Sequence, residues 1–169
     1  MSLNIFRNKI YQGQVVNIQS MGNLENRDDD RYEAHRYYYG RSLTDVTYDS
    51  LIHEYGPGWW SGHNFLLAEA FVFFLPALVN IASTKYEQNR VDQMADSLVL
   101  NLWSMSFDED NQKTKIALEH YSGEQLGFFS QFLHKMAHDR YAVSGDQDNA
   151  TPALTRFWGR YLPDNKPPE

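Results

Sequence analysis

The stretch Phe65-Leu-Leu-Ala-Glu-Ala-Phe-Val-Phe-Phe-Leu-Pro-Ala-Leu-Val-Asn-Ile-Ala82 decides the fold, since Glu69 and Asn80 are its only strongly polar side chains. As a single helix it would be about 27 Å long, close to the thickness of a bilayer's hydrocarbon core. A carboxylate at Glu69 would cost about 3 kcal/mol inside a membrane, and no basic cluster flanks the stretch. The mean hydropathy of the chain is only -0.59. We therefore predict a core helix of a soluble domain rather than a membrane span.

The phase of the polar residues predicts which side of this helix meets water. At 100° per residue, one side carries Glu69, Pro76, Asn80, Ser83 and Thr84. Pro76 removes the hydrogen bond to the carbonyl of Val72, which costs about 3 kcal/mol inside a helix unless the chain kinks. On a wet convex side, water can satisfy that carbonyl. The sequence thus predicts a proline-interrupted helix with Glu69 as a solvated carboxylate, the alternative being a buried functional acid.

Size, charge and cysteine content limit the classes of protein. At 169 residues with 42% apolar residues, the chain suits one domain with a substantial core. The absence of cysteine excludes disulfides, thiolate zinc sites and cysteine nucleophiles. Residues 1–12 lack the apolar core of a signal peptide, which predicts a cytoplasmic location. The net charge of -7, without a lysine or arginine stripe, disfavours nucleic acid and suits either solubility or a basic protein partner.

Capping residues and apolar repeats predict an all-α, single-domain bundle of about six helices around the central one. The first predicted helix runs from Asp28 to Tyr39 and is stopped by Gly40, and the second runs from a capping box at Ser42 to Gly56-Pro57-Gly58. The central stretch is the third, and further helices begin at Asn89, Ser122 and Thr151-Pro152. Residues 1–24 are predicted as an irregular or short hairpin lead-in. Residues 25–162 form the predicted helical domain, and residues 163–169 a flexible tail.

The segment His53-Glu-Tyr-Gly-Pro-Gly-Trp-Trp-Ser-Gly-His63 is the leading candidate for a binding site. Tryptophans on a glycine-rich turn offer large contact area with few rotors, so an exposed Trp59 or Trp60 predicts a ligand or partner site. His53, Glu54 and His63 would supply its polar contacts, with Glu69 nearby in sequence. The alternative is that both tryptophans fill the core. His53-Glu54 is not a zinc motif, because Pro57 stands where the second histidine is required.

Two further patterns partly match metal sites. His134 and His138, at i and i+4, are a weak alternative metal pair, but they lie at the margin of an apolar helix face where histidines are common. Asp108-Glu-Asp110 followed by Glu119 partly matches a calcium loop, but Lys113 replaces its required glycine. That stretch is therefore predicted to be a solvated acidic loop. The sequence predicts no catalytic residue, no metal and no cofactor.

The motif Glu69-Ala-Phe-Val-Phe-Phe-Leu-Pro-Ala77 resembles the Glu-Ala-Phe-x-Phe/Tyr-Tyr-Leu-Pro-Ala motif of a family of small bacterial proteins of unknown function. The similarity extends from Tyr38-Tyr-Gly-Arg-Ser42 to Tyr121-Ser-Gly-Glu-Gln125 and Phe132-Leu133. Phe74 stands where the family more often has tyrosine. The resemblance implies a helical domain and assigns no catalytic residue.

Two functional hypotheses remain open. The first is a non-enzymatic protein-binding or accessory protein, antidote-like, whose acidic surface meets a basic protein. The second is a small hydrolase or metal-dependent enzyme that uses His53, Glu54, His63 or the pair His134 and His138. The sequence leaves the oligomeric state open.

Overall fold

The computed structural model describes residues 3–7, 9–17, 30–88, 90–107, 110–138 and 146–163. Within these ranges the chain is all-α, which confirms the predicted fold class. Its helices are α1 (Asp30–Tyr38), α2 (Tyr48–Ser50), α3 (Ala68–Thr84), α4 (Val91–Phe107), α5 (Gln112–His120), α6 (Gly123–His138) and α7 (Asp146–Arg156). A π-helical turn, Leu51–Tyr55, continues α2. Short 3-10 helices are Leu3–Ile5, Leu43–Asp45, Gly62–Phe65 and Trp158–Tyr161.

The predicted core stretch is α3, and it lies at the centre of the bundle. Nearly all of its side chains from Ala70 to Ala82 are buried. It packs against α4, α5 and α6, and α7 closes the far side of α4 and α6. Among the described residues, no helix combines the length and apolarity needed to cross a membrane.

The predicted interruption at Pro76 is not observed, because α3 runs through it as one helix. Pro76 is buried instead of facing water, although Glu69 and Thr84 at the two ends of the predicted stripe are exposed. The carbonyl of Val72, which Pro76 deprives of its helical donor, accepts a hydrogen bond from the hydroxyl of Tyr121. A side chain from the α5–α6 connection thus replaces the water that the sequence predicted.

Three helix boundaries differ from the prediction. The helix predicted from Ser42 is divided, since Ser42 precedes the short 3-10 helix Leu43–Asp45 and α2 begins at Tyr48 with Thr47 as its cap. The predicted acidic loop is wrong from residue 112 onward, where α5 begins with Asn111 as its cap: the side chain accepts from the backbone N–H of Lys113 at 2.9 Å. Thr114 of this helix is buried and donates to the carbonyl of Met105 at 2.8 Å. The last helix begins at Asp146 rather than at a Thr151 cap, with Pro152 inside it.

The described part of the N-terminal lead-in belongs to the core. Phe6, Tyr11, Val15 and Val16 are buried. The backbone of Tyr11 donates to the carbonyl of Arg41 at 2.9 Å, as part of an isolated antiparallel bridge between neighbouring residues. The rest of the predicted lead-in from residue 18, and the predicted tail from residue 164, lie outside the described residues.

A fully buried hydroxyl on α1 gives a first prediction. The ring of Tyr38 lies 4.9 Å from that of Phe74 between centroids, and its hydroxyl has no hydrogen-bond partner among the described residues. Burial raises the pKa of Tyr38 well above its ordinary value. Tyr38→Phe should therefore leave the free energy of unfolding unchanged or raise it by up to about 1 kcal/mol.

The neighbouring Tyr37 supplies the control for that experiment. Its hydroxyl lies 2.6 Å from the hydroxyl of Ser50, so Tyr37→Phe should lower the free energy of unfolding by about 1 kcal/mol. Urea unfolding followed by circular dichroism measures both variants. A loss at Tyr38→Phe as large as that at Tyr37→Phe would show that the buried hydroxyl does have a partner.

Candidate functional site

A cleft of about 850 Å³ opens between the N-terminal segment, α3 and the α5–α6 connection. We call it the N-terminal cleft. Its apolar floor is formed by side chains from three elements and the α5–α6 connection, namely Leu43, Val72, Phe73, Pro76, Ile116 and Tyr121. Its rim carries four charged side chains, Arg7, Lys9, Glu69 and Glu119.

The floor follows from the helical period of α3. Glu69, Val72, Phe73 and Pro76 stand at i, i+3, i+4 and i+7, so they share one face of the helix. The hydrogen bond from Tyr121 to the Val72 carbonyl ties this face to the α5–α6 connection. Burial raises the pKa of Tyr121, so its hydroxyl remains a donor at physiological pH. The proline and the tyrosine thus shape the floor together.

The N-terminal wall of the cleft is fixed at both ends. The amide nitrogen of the Gln125 side chain donates to the carbonyl of Ile5 at 2.8 Å. The ring of Phe6 packs edge-on against Tyr121, with centroids 5.6 Å apart. At the other end the backbone of Tyr11 is held by the bridge described above. The cationic side chains between these anchors are exposed.

The charges on the rim are separated by sign. The cations Arg7 and Lys9 come from the N-terminal segment, and the carboxylates Glu69 and Glu119 from α3 and α5. All four are exposed, and within the described part of the chain none of them forms an ion pair. Burial, and then the Glu69 carboxylate, raises the pKa of Tyr11, which also lines the cleft. The cleft therefore offers charges of both signs around an apolar floor.

Of the six predicted binding residues, Glu69 alone lines this cleft. His53 and Glu54 are exposed on the π-helical turn, where Glu54 pairs with Arg41. Trp59 is buried, with its ring edge-on to that of Tyr48 at 5.7 Å. Trp60 is half-buried beneath the guanidinium group of Arg90, 4.5 Å from the ring centre. The tryptophans therefore do not form one exposed surface with His53 and Glu54.

His63 is fully buried and belongs to a different polar cluster. Its Nε2 lies 3.1 Å from the hydroxyl of Ser97, which itself donates to the side-chain oxygen of Asn64 at 2.9 Å. Because the serine proton is directed to Asn64, His63 must donate to Ser97 and is not positioned to act as its base. Burial, and then the charge of Lys113, lowers the pKa of His63 to about 3.

Sequence reasoning missed the rest of this cluster. Lys113 donates to the side-chain oxygen of Asn101 at 2.6 Å and lies 4.0 Å from the ring centre of Phe71. The Asn101 amide in turn donates to Asn64 at 3.1 Å, and burial lowers the pKa of Lys113. The available signal was the polar pair Ser97 and Asn101, at i and i+4 on α4. The cluster connects the Gly62–Phe65 turn to α4 and α5.

The predicted histidine pair is an exposed stack at the end of α6. The rings of His134 and His138 lie 4.2 Å apart at 21°, and Nδ1 of His138 is 2.8 Å from the carbonyl of His134. Nearly parallel rings direct their in-plane nitrogens side by side instead of toward one ion. No group of three or more metal-ligating side chains is present in the ranges that the structure describes.

Comparison with protein-family models, with curated proteins and with solved structures gives no match for the chain. The resemblance to a bacterial family therefore stays a prediction. No activity is transferred from a relative. The cleft and the polar cluster around His63 are therefore the features of the molecule that bear on its function.

Proposed function

We propose that this protein is a non-enzymatic, cytoplasmic protein-binding or accessory protein that receives a segment of a partner protein in the N-terminal cleft. The observation that carries the proposal is the separation of charges around an apolar floor. Arg7 and Lys9 lie on one element, Glu69 and Glu119 lie on two others, and none of these side chains is paired within the described residues. Protein interfaces have this composition, with an apolar centre and a polar or charged rim.

The charge pattern favours a protein over other ligand classes. A nucleotide or a fatty acid carries charge of one sign, so it would pair with one part of the rim and be repelled by the other. A protein segment carries side chains of both signs. The net charge of -7 adds a long-range field that attracts a partner of basic overall composition. The cleft would then select the segment that binds.

The placement of the histidines supports a binding function over the hydrolase or metal-enzyme alternative. His63 donates a structural hydrogen bond, and its lowered pKa keeps it neutral at physiological pH. His134 and His138 are stacked on each other. His53 lies on the π-helical turn, which contributes no side chain to the cleft.

Site-specific photo-crosslinking in native cells tests this proposal. A benzoylphenylalanine placed at Glu69 should form an adduct with one protein, because that position lies on the rim of the cleft. The same probe at Tyr39, 60% exposed and outside the cleft, is the control. Adding Ile116→Trp, which fills the floor, should reduce the adduct at least tenfold, because loss of a central apolar contact costs about 1.4 kcal/mol or more.

Two outcomes would contradict the proposed function. One is an adduct at Glu69 no stronger than the adduct at Tyr39. The other is a Glu69 adduct that Ile116→Trp leaves intact, since the crosslinked protein would then contact the surface beside the cleft and not its floor. Circular dichroism of each variant checks that the helical fold is retained.

A further inference from the structure

We propose that the N-terminal cleft selects a bipolar segment, in which an apolar anchor stands between an acidic and a basic side chain. This inference rests on the proposed function and names the chemistry of the partner. The acidic side chain would contact Arg7 and Lys9, and the basic one would contact Glu69 and Glu119. The anchor would occupy the floor beside Phe73.

The four charged side chains on the rim are available to a ligand. Side chains that neutralise one another within a protein have little left to offer a partner. The ion pairs that join Arg36 to Glu33, Arg41 to Glu54 and Lys115 to Asp110 lie outside the cleft. The four charges of the cleft are exposed and unpaired by comparison. Each is therefore free to form an ion pair with an incoming side chain.

The cations and the carboxylates stand on separate backbone elements. The segment with the cations is held by Gln125 at Ile5 and by the backbone bridge at Tyr11. Glu69 stands on the central helix α3, and Glu119 stands in the last turn of α5. The two signs are therefore held on different backbone elements. A ligand that contacts both sets of charges must carry both signs.

The floor of the cleft provides the surface for the anchor. Phe73 is half-buried, and Val72 and Pro76 add apolar surface on the same face of α3. Tyr121 presents a ring whose hydroxyl is already engaged by the Val72 carbonyl. The floor thus presents mainly apolar surface, which favours a leucine or an aromatic side chain as anchor. An apolar anchor flanked by opposite charges satisfies all the observed features at once.

Four synthetic peptides with acetylated and amidated ends test the inference by isothermal titration calorimetry. The bipolar probe is Asp-Asp-Leu-Trp-Leu-Lys-Lys. The others replace the acidic pair, the basic pair or the anchor: Lys-Lys-Leu-Trp-Leu-Lys-Lys, Asp-Asp-Leu-Trp-Leu-Asp-Asp and Asp-Asp-Ser-Ser-Ser-Lys-Lys. The bipolar probe should bind about fivefold more tightly than each peptide of one sign, since an exposed ion pair is worth up to about fivefold. It should bind at least tenfold more tightly than the peptide without the anchor, since loss of a central apolar contact costs about 1.4 kcal/mol or more.

Charge reversal on the protein provides the sharper test. In the variant Arg7→Glu/Lys9→Glu the rim is acidic throughout, so the Lys-Lys-Leu-Trp-Leu-Lys-Lys peptide should become the preferred ligand. The control Lys85→Glu/Arg156→Glu changes the net charge equally at exposed residues outside the cleft. It should retain the preference for the bipolar probe. The comparison separates a local effect at the rim from the long-range field.

Every result supports or overturns the inference. A preference for the bipolar probe that reverses in the cleft variant and persists in the control supports it. Equal binding of the charged peptides, stronger binding of a peptide of one sign, or no binding at all overturns it. If the crosslink at Glu69 is still lost on Ile116→Trp in that event, the protein-binding function stands and only the bipolar selection is wrong.

Discussion

Tyr121→Phe should lower the free energy of unfolding by about 2 kcal/mol, a large loss for the removal of one oxygen atom. The reason is the carbonyl of Val72, whose helical donor is missing because Pro76 has no N–H. Phenylalanine keeps the ring but removes the hydroxyl that donates to that carbonyl in place of the missing N–H. A buried acceptor left unpaired costs about 1–3 kcal/mol. Urea unfolding followed by circular dichroism measures the loss.

A double-mutant cycle shows whether Pro76 is the cause. Pro76→Ala restores a backbone N–H that can donate to the carbonyl of Val72, so Tyr121→Phe should cost at least about 1 kcal/mol less in that background. Tyr37→Phe is the matched control, because its hydroxyl lies 2.6 Å from that of Ser50, outside the cleft that Pro76 lines. Its cost should be the same in both backgrounds. If Tyr121→Phe costs the same free energy of unfolding in both backgrounds, Pro76 is not the reason for that cost.

Helix α3 shows which structural features a helical period in the sequence can predict and which it cannot. Apolar content and length were sufficient to predict a core helix, because both are properties of the stretch itself. They were not sufficient to predict which group donates to the Val72 carbonyl, since that donor is Tyr121, 49 residues away in sequence. A period gives the direction of each side chain, but only the packed structure gives its neighbours. For this reason the prediction of a solvent-facing side was wrong at Pro76. It was correct at Glu69 and Thr84, near the helix ends.

The cleft illustrates the same limit for function. Glu69 was predicted from the sequence as a binding residue, because a carboxylate is unusual within an apolar stretch. Arg7 and Lys9 lie in a lead-in without a regular period, and Glu119 lies on α5, which was predicted to be a loop. Nothing in the local pattern joins these charges, because three separate elements bring them together. The tryptophan segment attracted attention by composition, yet Trp59 is part of the core.

Acid should destabilise the protein through His63 well before its carboxyl groups are protonated. Burial, and then the charge of Lys113, lowers the pKa of His63 to about 3, against about 6.5 in an unfolded chain. Between these values the unfolded chain binds the proton and the folded one does not. The contribution of His63 to stability is therefore complete above pH 6.5 and is lost as the pH falls. At pH 5 the loss relative to pH 8 is about 2 kcal/mol.

Urea unfolding at pH 8, 7, 6 and 5 measures this loss, and the range stays above the ordinary pKa of carboxyl groups. His63→Asn removes the titrating group, so its free energy of unfolding should change by about 2 kcal/mol less between pH 8 and pH 5 than that of the parent protein. His53→Asn, at an exposed histidine, should retain the pH dependence of the parent. If the parent and His63→Asn lose the same stability, the proton responsible binds elsewhere. If only His63→Asn loses the pH dependence, the neutral imidazole beneath Ser97 and Lys113 is the group that makes the fold sensitive to acid.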